Sequence, residues 1–278
     1  MKKKKNTMAS GADKYALYRL SVQDPEHEVQ QFVTFYKEAY QRPPLTLRED
    51  FCAAAAVCCE WVKQKDRTAV GVDLDPEPLR YCKDKYLPEL TDEQRSRVRL
   101  LQEDVMTCSA KAEIIAAQNY SFFLFKTRDL VRKYFERVHK SLERDGLFIM
   151  DMMGGGGMQA EDFEESRAVA RPTRLDKEKN PPFRYVWQEK TFNPINHDVL
   201  FHIHFRFPDG SALEKAFSYD WRMWTLPEVT ELLDEAGFSE VHVYWETNDK
   251  HGEPSGKYRR ETRGKPDEAW LAYVVALR

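Results

Sequence analysis

The run Leu45–Asp75, LTLREDFCAAAAVCCEWVKQKDRTAVGVDLD, decides the fold. An extended segment ends in the acids Glu49 and Asp50. Small residues follow from Ala53 to Ala56. An apolar helix carries Val57 and Trp61, and a second apolar strand ends at Asp73. This is a strand, turn, helix, strand unit closed by an acid. The acid lies about 20 residues past the turn, the spacing at which a carboxylate meets the ribose of a bound nucleoside. The turn contains no glycine.

Downstream of this unit, strands and helices alternate. Thr68 to Leu74 is mostly apolar, as a parallel strand buried on both faces should be. Pro76 to Leu87 reads as a helix, Val98 to Val105 as a third strand and Glu113 to Ala117 as a fourth. Asp129 to Leu142 is an amphipathic helix, and Leu147 to Met152 is a fifth strand that stops at Gly154–Gly157. The alternation predicts a doubly wound, mostly parallel α/β sheet. The pattern then changes. Phe163 to Pro182 is charged and bounded by proline, and reads as a loop or flexible cover. Three antiparallel strands follow, Tyr185 to Phe192, Val199 to Phe207 and Ala212 to Tyr219, within a β insertion at about residues 183–221. Leu226 to Ala236 is a helix closed by Gly237. Val241 to Trp245 and Trp270 to Leu277 are the final strands, with His251 to Lys265 between them as a mobile loop. Upstream, Asp24-Pro25 opens a helix with Val29, Phe32, Val33, Tyr36 and Tyr40 on its apolar face. Residues 15–44 are expected as a helical cover, with Tyr15 to Asp24 as a polar-aromatic approach segment, and residues 1–14 as a disordered tail.

The 278 residues suffice for one large domain of 45–278 with its insertion. An apolar content of 42% and a charged content of 32% suit a soluble globular chain. A net charge of −3 gives no electrostatic case for a nucleic-acid partner. No apolar run reaches the roughly 20 residues that span a bilayer. Cys52, Cys58, Cys59, Cys82 and Cys108 form no C-x-x-C pair, so they read as small core residues of a reducing, cytoplasmic compartment rather than disulfide or zinc ligands. Lys2 to Lys5 read either as a nuclear address or as a solvated tail.

Ligands of open parallel sheets sit outside the carboxyl ends of the strands. Glu49 and Asp50 end the first strand, Asp73 the second, Asp104 the third, Asn119 the fourth and Asp151 the fifth. Asp73 can accept both ribose hydroxyls. Asp104 can accept the exocyclic amino group of adenine, with the Val105 N–H reaching a ring nitrogen. Glu49 can hold a cationic amino-acid moiety or orient the loop that does. The competing reading is that such acids are solvated or cap the next helix.

Through LREDFCAAA, AVGVDLD, LLQEDVM, AAQNYS, GLFIMD and WTLPEVTELLDEAGF, the chain resembles the class I S-adenosylmethionine-dependent methyltransferases. The resemblance implies a seven-stranded sheet with its last strand antiparallel and S-adenosylmethionine over the ends of the first four strands. It would place Glu49 and the loop containing Cys52 and Ala53 at the methionine part. Asp73 would face the ribose and Asp104 with Val105 the adenine, with Leu74 also at the cofactor. Asn119, Tyr120 and Ser121 would line the path to the acceptor. YALYRLSVQ resembles a segment that covers the site in some of these enzymes, which brings in Tyr15 and Tyr18. The family's alternating glycines are replaced by Phe51, Ala53 and Ala55. A Cβ in the left-handed region costs about 1–2 kcal/mol, so the loop is expected either to take negative φ or to lose cofactor affinity.

On the acceptor side, Lys126 and Arg128 suit a carboxylate or phosphate, or else a solvated helix start. DVLFHIHFRF sets His202, His204 and Arg206 on one strand face. Either the two histidines ligate a metal or serve as an acceptor-side base, with His202 at the substrate, or they form the polar face of a half-buried sheet. No third ligand accompanies them, so no metal is expected. Arg222, between Trp221 and Trp224, reads as a pocket wall or as core packing. The function expected is methyl transfer from S-adenosylmethionine to an N, O or S nucleophile of a small molecule. The alternatives are a catalytically silent binding protein of the same fold and a nucleic-acid or protein methyltransferase.

Overall fold

The computed structural model describes residues 7–169, 182–252 and 254–278. The elements are α1 (Lys14–Val22), α2 (Pro25–Tyr40), β1 (Thr46–Asp50), α3 (Ala56–Trp61), β2 (Thr68–Asp73), α4 (Pro76–Tyr81), α5 (Asp92–Ser96), β3 (Val98–Gln102) and β4 (Ala112–Ala117). Then come α6 (Arg128–Ser141), β5 (Leu142–Gly154), β6 (Phe163–Val169), β7 (Phe183–Phe192), β8 (Asp198–Arg206), β9 (Ala212–Arg222), α7 (Leu226–Glu235), β10 (Glu240–Asn248), β11 (Pro254–Arg260) and β12 (Trp270–Leu277). They form two compact units: Pro25–Gly157 with Trp224–Arg278, and Met1–Asp24 with Met158–Met223. The stretch 15–44, read as one cover, therefore divides at Asp24.

The larger unit is built on a sheet of order β11-β10-β12-β5-β4-β1-β2-β3. β3, β2, β1, β4 and β5 are parallel, and β12 pairs antiparallel with both β5 and β10. The doubly wound parallel sheet with a reversed last strand is thus present. An eighth strand, β11, occupies the stretch read as a mobile loop and pairs antiparallel with β10. Its charged sequence PSGKYRR carries no apolar alternation, which hid it. Period-2 alternation along β1 sends Leu47 and Glu49 to the face covered by α2 and α3, and Arg48 and Asp50 to the face covered by α6. Phe32, Phe35, Tyr36, Val57 and Trp61 fill the first side, and Tyr134, Phe135, Phe148 and Val138 the second. The helix read as Pro76 to Leu87 is shorter: α4 gives way to a π turn over Cys82–Tyr86 and a 3-10 turn over Leu87–Glu89.

The smaller unit is a sheet of order β6-β7-β8-β9, antiparallel throughout. β6 lies in the segment read as a loop. It is an exposed edge strand, and Glu164 on it accepts two hydrogen bonds from Arg206 at 2.9 and 3.1 Å. The remainder of that segment, 170–181, falls outside the described residues, as does the lysine run at 2–5. Tyr15 to Asp24 is helical through Val22 because Asp13 caps the first turn, accepting from the Tyr15 and Ala16 N–H groups at 3.0 and 3.2 Å. Part of the stretch read as a disordered tail is also fixed. The Met8 N–H donates to Asp209 at 2.8 Å and that of Ala9 to Ser211 at 3.0 Å. Leu17, Ile203, Phe205, Phe183 and Phe207 form this unit's core.

Candidate functional site

The loop after β1 does not take the negative φ under which cofactor binding was expected to survive. Phe51, Ala53 and Ala55 have φ of 56, 45 and 50°, so three side-chain-bearing residues occupy the region that favours glycine. Three contacts hold them there. The Cys52 N–H donates to the Val72 carbonyl at 3.0 Å, the Ala55 N–H to the Cys52 carbonyl at 2.6 Å, and the Ala53 N–H to Asp73 Oδ2 at 2.8 Å. The Phe51 ring is also packed between Phe125 and Tyr134, with centroids 5.9 and 5.6 Å away. The steric room comes from across the sheet: a Cβ on Gly71 would lie 2.9 Å from Cys52 Sγ and 3.3 Å from Ala55 Cβ. Gly71 on β2 makes space that the loop itself does not provide, and sequence reasoning passed over it. Ala53→Gly is expected to stabilise the protein by no more than about 1 kcal/mol, because relief of about 1–2 kcal/mol is partly offset by glycine's greater unfolded-state freedom. Urea unfolding checks this; a loss of stability would show the loop to be unstrained at Ala53.

Glu49 is 4% exposed and accepts from the Cys58 N–H at 3.2 Å and the Cys58 thiol at 3.1 Å. Burial pushes its carboxyl up to about 8, against the opposing effect of the Cys58 bonds. It therefore ties the loop to the start of α3. Asp50 points to the other face, where Arg48 and Tyr134 engage it, so of the two acids only Glu49 lies on the loop side. Asp73 also accepts from the Asp75 N–H at 2.9 Å, and burial raises its carboxyl. A carboxylate offers about four lone-pair sites, so these two bonds leave Asp73 capacity for hydroxyl donors. Next to it Leu74 is 67% exposed, an apolar side chain at the strand end. β3 stops at Gln102, which puts Asp104 in the following turn. Its Oδ1 accepts from the Met106 N–H at 2.9 Å, and the side chain is exposed beside buried Val105.

At the ends of β4 and β5, Asn119 and Tyr120 are both left-handed, with φ of 56° each. Asp151 holds them, one oxygen accepting from the Asn119 N–H and the other from the Tyr120 N–H, each at 2.9 Å. Burial brings the Asp151 carboxyl to about 6 against these bonds. Ser121 Oγ donates to the Gln118 carbonyl at 2.7 Å. Lys126 is half-buried at the exit of the turn. Arg128, read as an anion holder, is ion-paired with Glu235 of α7, linking α6 to α7 on the outside of the sheet.

Tyr15, Tyr18, His202 and Arg222 belong to the smaller unit. Tyr15 and Tyr18 pack on Phe217, with centroids 5.9 and 4.8 Å away. His202 and His204 are each 4% exposed, so the polar face expected on β8 is covered rather than wet. His202 Nδ1 is 2.8 Å from Ser218 Oγ. His204 Nδ1 accepts from the Lys215 N–H at 3.1 Å across a β-bulge, where Lys215 has φ of 52°. Arg222 stands opposite Asp198 in the β8–β9 register.

The strand order, the reversed β12 and the acids at the ends of β1 and β2 define the fold of the S-adenosylmethionine-dependent methyltransferases. Solved structures agree. One is S-adenosylmethionine-bound CalS10, an amino pentose methyltransferase of Micromonospora echinaspora involved in calicheamicin biosynthesis, with a TM-score of 0.65 at 13% identity over 95% of both chains. A second is an S-adenosylmethionine-dependent methyltransferase of Clostridium acetobutylicum, with 0.64 at 15% over 94% of this chain and 96% of that one. A third is the sugar N-methyltransferase KedS8 of a Streptoalloteichus species, with 0.63 at 14% over 96% and 93%. No family model and no curated protein sequence matches the chain.

Proposed function

We propose that this chain is an S-adenosylmethionine-dependent methyltransferase acting on a small molecule. The observation that carries the reading is the bond from the Ala53 N–H to Asp73. It draws the β1 loop back over the end of β2 and sets a carboxylate at the open strand edge, although the loop has no glycine. In this reading Asp73 binds the ribose, Leu74 and Val105 flank the adenine, Asp104 accepts its amino group, and the loop at Cys52–Ala53, backed by Glu49, faces the methionine part. Asn119, Tyr120 and Ser121 then separate cofactor from acceptor. Lys126, at the exit of the same turn, remains an acceptor residue in the proposal, Arg128 is engaged by Glu235, and Tyr15, Tyr18, His202 and Arg222 lie in the smaller unit.

When bound, the cofactor supplies a methyl group on a sulfonium, already a good leaving group. The protein's task is then positional: to hold nucleophile, carbon and sulfur in line. The Asp151 clamp serves this task by fixing the Asn119–Tyr120 backbone. Two of the solved structures named above are an amino pentose methyltransferase and a sugar N-methyltransferase, which supports a small-molecule substrate. Calorimetric titration with S-adenosylmethionine tests the reading. Saturable binding is expected in the micromolar range; no binding at about 1 mM, the weak end of ordinary affinities, would leave a silent protein of the same fold.

A further inference from the structure

In the smaller unit, aromatic rings line up across one face of the four-stranded sheet. The rings of Tyr219 and Trp221 on β9 have centroids 4.4 Å apart and planes inclined by 29°. Those of Tyr219 and of Trp187 on β7 are 6.2 Å apart and inclined by 30°. Both separations suit or closely approach offset stacking. The Trp187 side chain also donates to Glu189, which is 1% exposed, so the indole is anchored through its N–H. The column stops at Trp187. Opposite Trp187 on β6 stands Glu165, and opposite Tyr185 stands Arg167.

A cavity of about 240 Å³ opens here, lined by Glu165, Arg167, Tyr185 and Trp187. Sites for drug-sized ligands measure roughly 300–1,000 Å³, so this one suits a single substituted ring. Strand periodicity sets all four side chains on one face. Two of them are committed to each other. Arg167 donates to the Ser21 carbonyl and covers the Tyr185 ring, its guanidinium carbon 5.0 Å from the centroid. Burial pushes the Tyr185 phenol up to about 12, so it adds no charge. Glu165 is exposed, and among the described residues no donor reaches its carboxylate. The cavity therefore offers a ligand an indole and a carboxylate beside it. An anion would be repelled by Glu165 and a cation by Arg167. A saturated ring would gain a bond to the carboxylate but would not extend the stack.

We infer that the cavity at Trp187 and Glu165 binds an uncharged aromatic ring bearing an O–H or N–H donor. The ring stacks on Trp187 as the next member of the column, and the donor bonds to the Glu165 carboxylate. Such a charge-assisted bond is roughly twice as strong as one between neutral groups. The site lies wholly within the smaller unit, and the inference does not rest on the methyltransferase reading.

The test titrates the full chain with p-cresol, 4-methylanisole and 4-methylcyclohexanol by ligand-observed NMR. The first carries ring and donor, the second the ring alone and the third the donor alone. p-Cresol is expected to bind with a Kd on the order of 1 mM, as suits so small a ligand. It should bind about fivefold or more tighter than either control. Glu165→Ala should weaken p-cresol about fivefold and erase its advantage over 4-methylanisole. Because Glu165 is exposed, this variant should melt within about 2 °C of the unsubstituted protein. Trp187→Leu should weaken p-cresol about fivefold or more, while Trp187→Phe, which keeps a ring, should retain it. Three results would each overturn the site: no saturation by p-cresol at about 20 mM, equal affinity for the three compounds, or p-cresol binding indifferent to Glu165→Ala.

Discussion

Asp73→Asn is expected to weaken S-adenosylmethionine binding by about 100-fold and to leave the fold in place. The carboxylate has two tasks. It accepts from the Ala53 N–H at 2.8 Å and the Asp75 N–H at 2.9 Å, and in the proposed complex it takes the ribose hydroxyls. Asparagine keeps one acceptor oxygen and loses the charge, so one of the two backbone donors and the charge-assisted bonds to the sugar are lost together. Hydrogen bonds to a charged group contribute about 1.5–3 kcal/mol each, and about 1.4 kcal/mol is a factor of ten. Because the ribose is common to S-adenosylmethionine and S-adenosylhomocysteine, calorimetry should record the same loss for both. An affinity for either compound within about twofold of the unsubstituted protein would remove the sugar from Asp73.

The largest loss of stability is expected from Arg48→Met. Arg48 and Asp50 are wholly buried, and Arg48 Nε and NH2 donate to the two Asp50 oxygens at 2.7 and 3.1 Å. Arg48 also reaches the Cys108 and Ala110 carbonyls at 3.4 and 3.1 Å, and the Tyr134 hydroxyl donates to Asp50 at 3.0 Å. Burial alone would push the Asp50 carboxyl further up; the guanidinium opposes it. Removing the cation leaves a buried carboxyl with a single phenol, a loss of about 3–5 kcal/mol. Melting should fall on the order of 10 °C for a chain of this size. Arg48→Met with Asp50→Leu should recover most of the loss, since an apolar pair of similar volume has no charge to desolvate. A single Arg48→Met variant melting within about 2 °C of the unsubstituted protein would contradict the ion pair's structural role.

The sheet was legible because its signal is redundant. Apolar runs at β2, β4 and β5 each lead into a polar residue or glycine, β1 ends in two acids, and each is followed by a helical period or a small-residue turn. β6 and β11 were not legible. Both are edge strands whose outward residues are charged, so neither shows the alternation that betrays a half-buried strand. Of the neighbouring acids Glu49 and Asp50, only Glu49 was given a role at the loop, and the pleat is what separates the two into a loop anchor and an ion-pair partner. Of the candidate site, the spacing placed Asp73 correctly at the end of β2, whereas Asp104, read as the end of the third strand, lies in the turn after β3. The site was not legible at Gly71, whose role depends on what passes across the sheet. His202 and His204 lie on a face that is polar in sequence and buried in the fold.

β11 also decides how the large sheet ends. An outermost strand offers a row of unsatisfied N–H and C=O groups on which a foreign chain can build, and proteins discourage this with proline and lysine or arginine along the rim. β11 opens with Pro254 and carries exposed Lys257, Arg259 and Arg260. An extended peptide approaching that rim would have to desolvate these cations and would find no donor at the proline. The charges that made this stretch resemble a loop thus guard the protein against self-assembly into fibres.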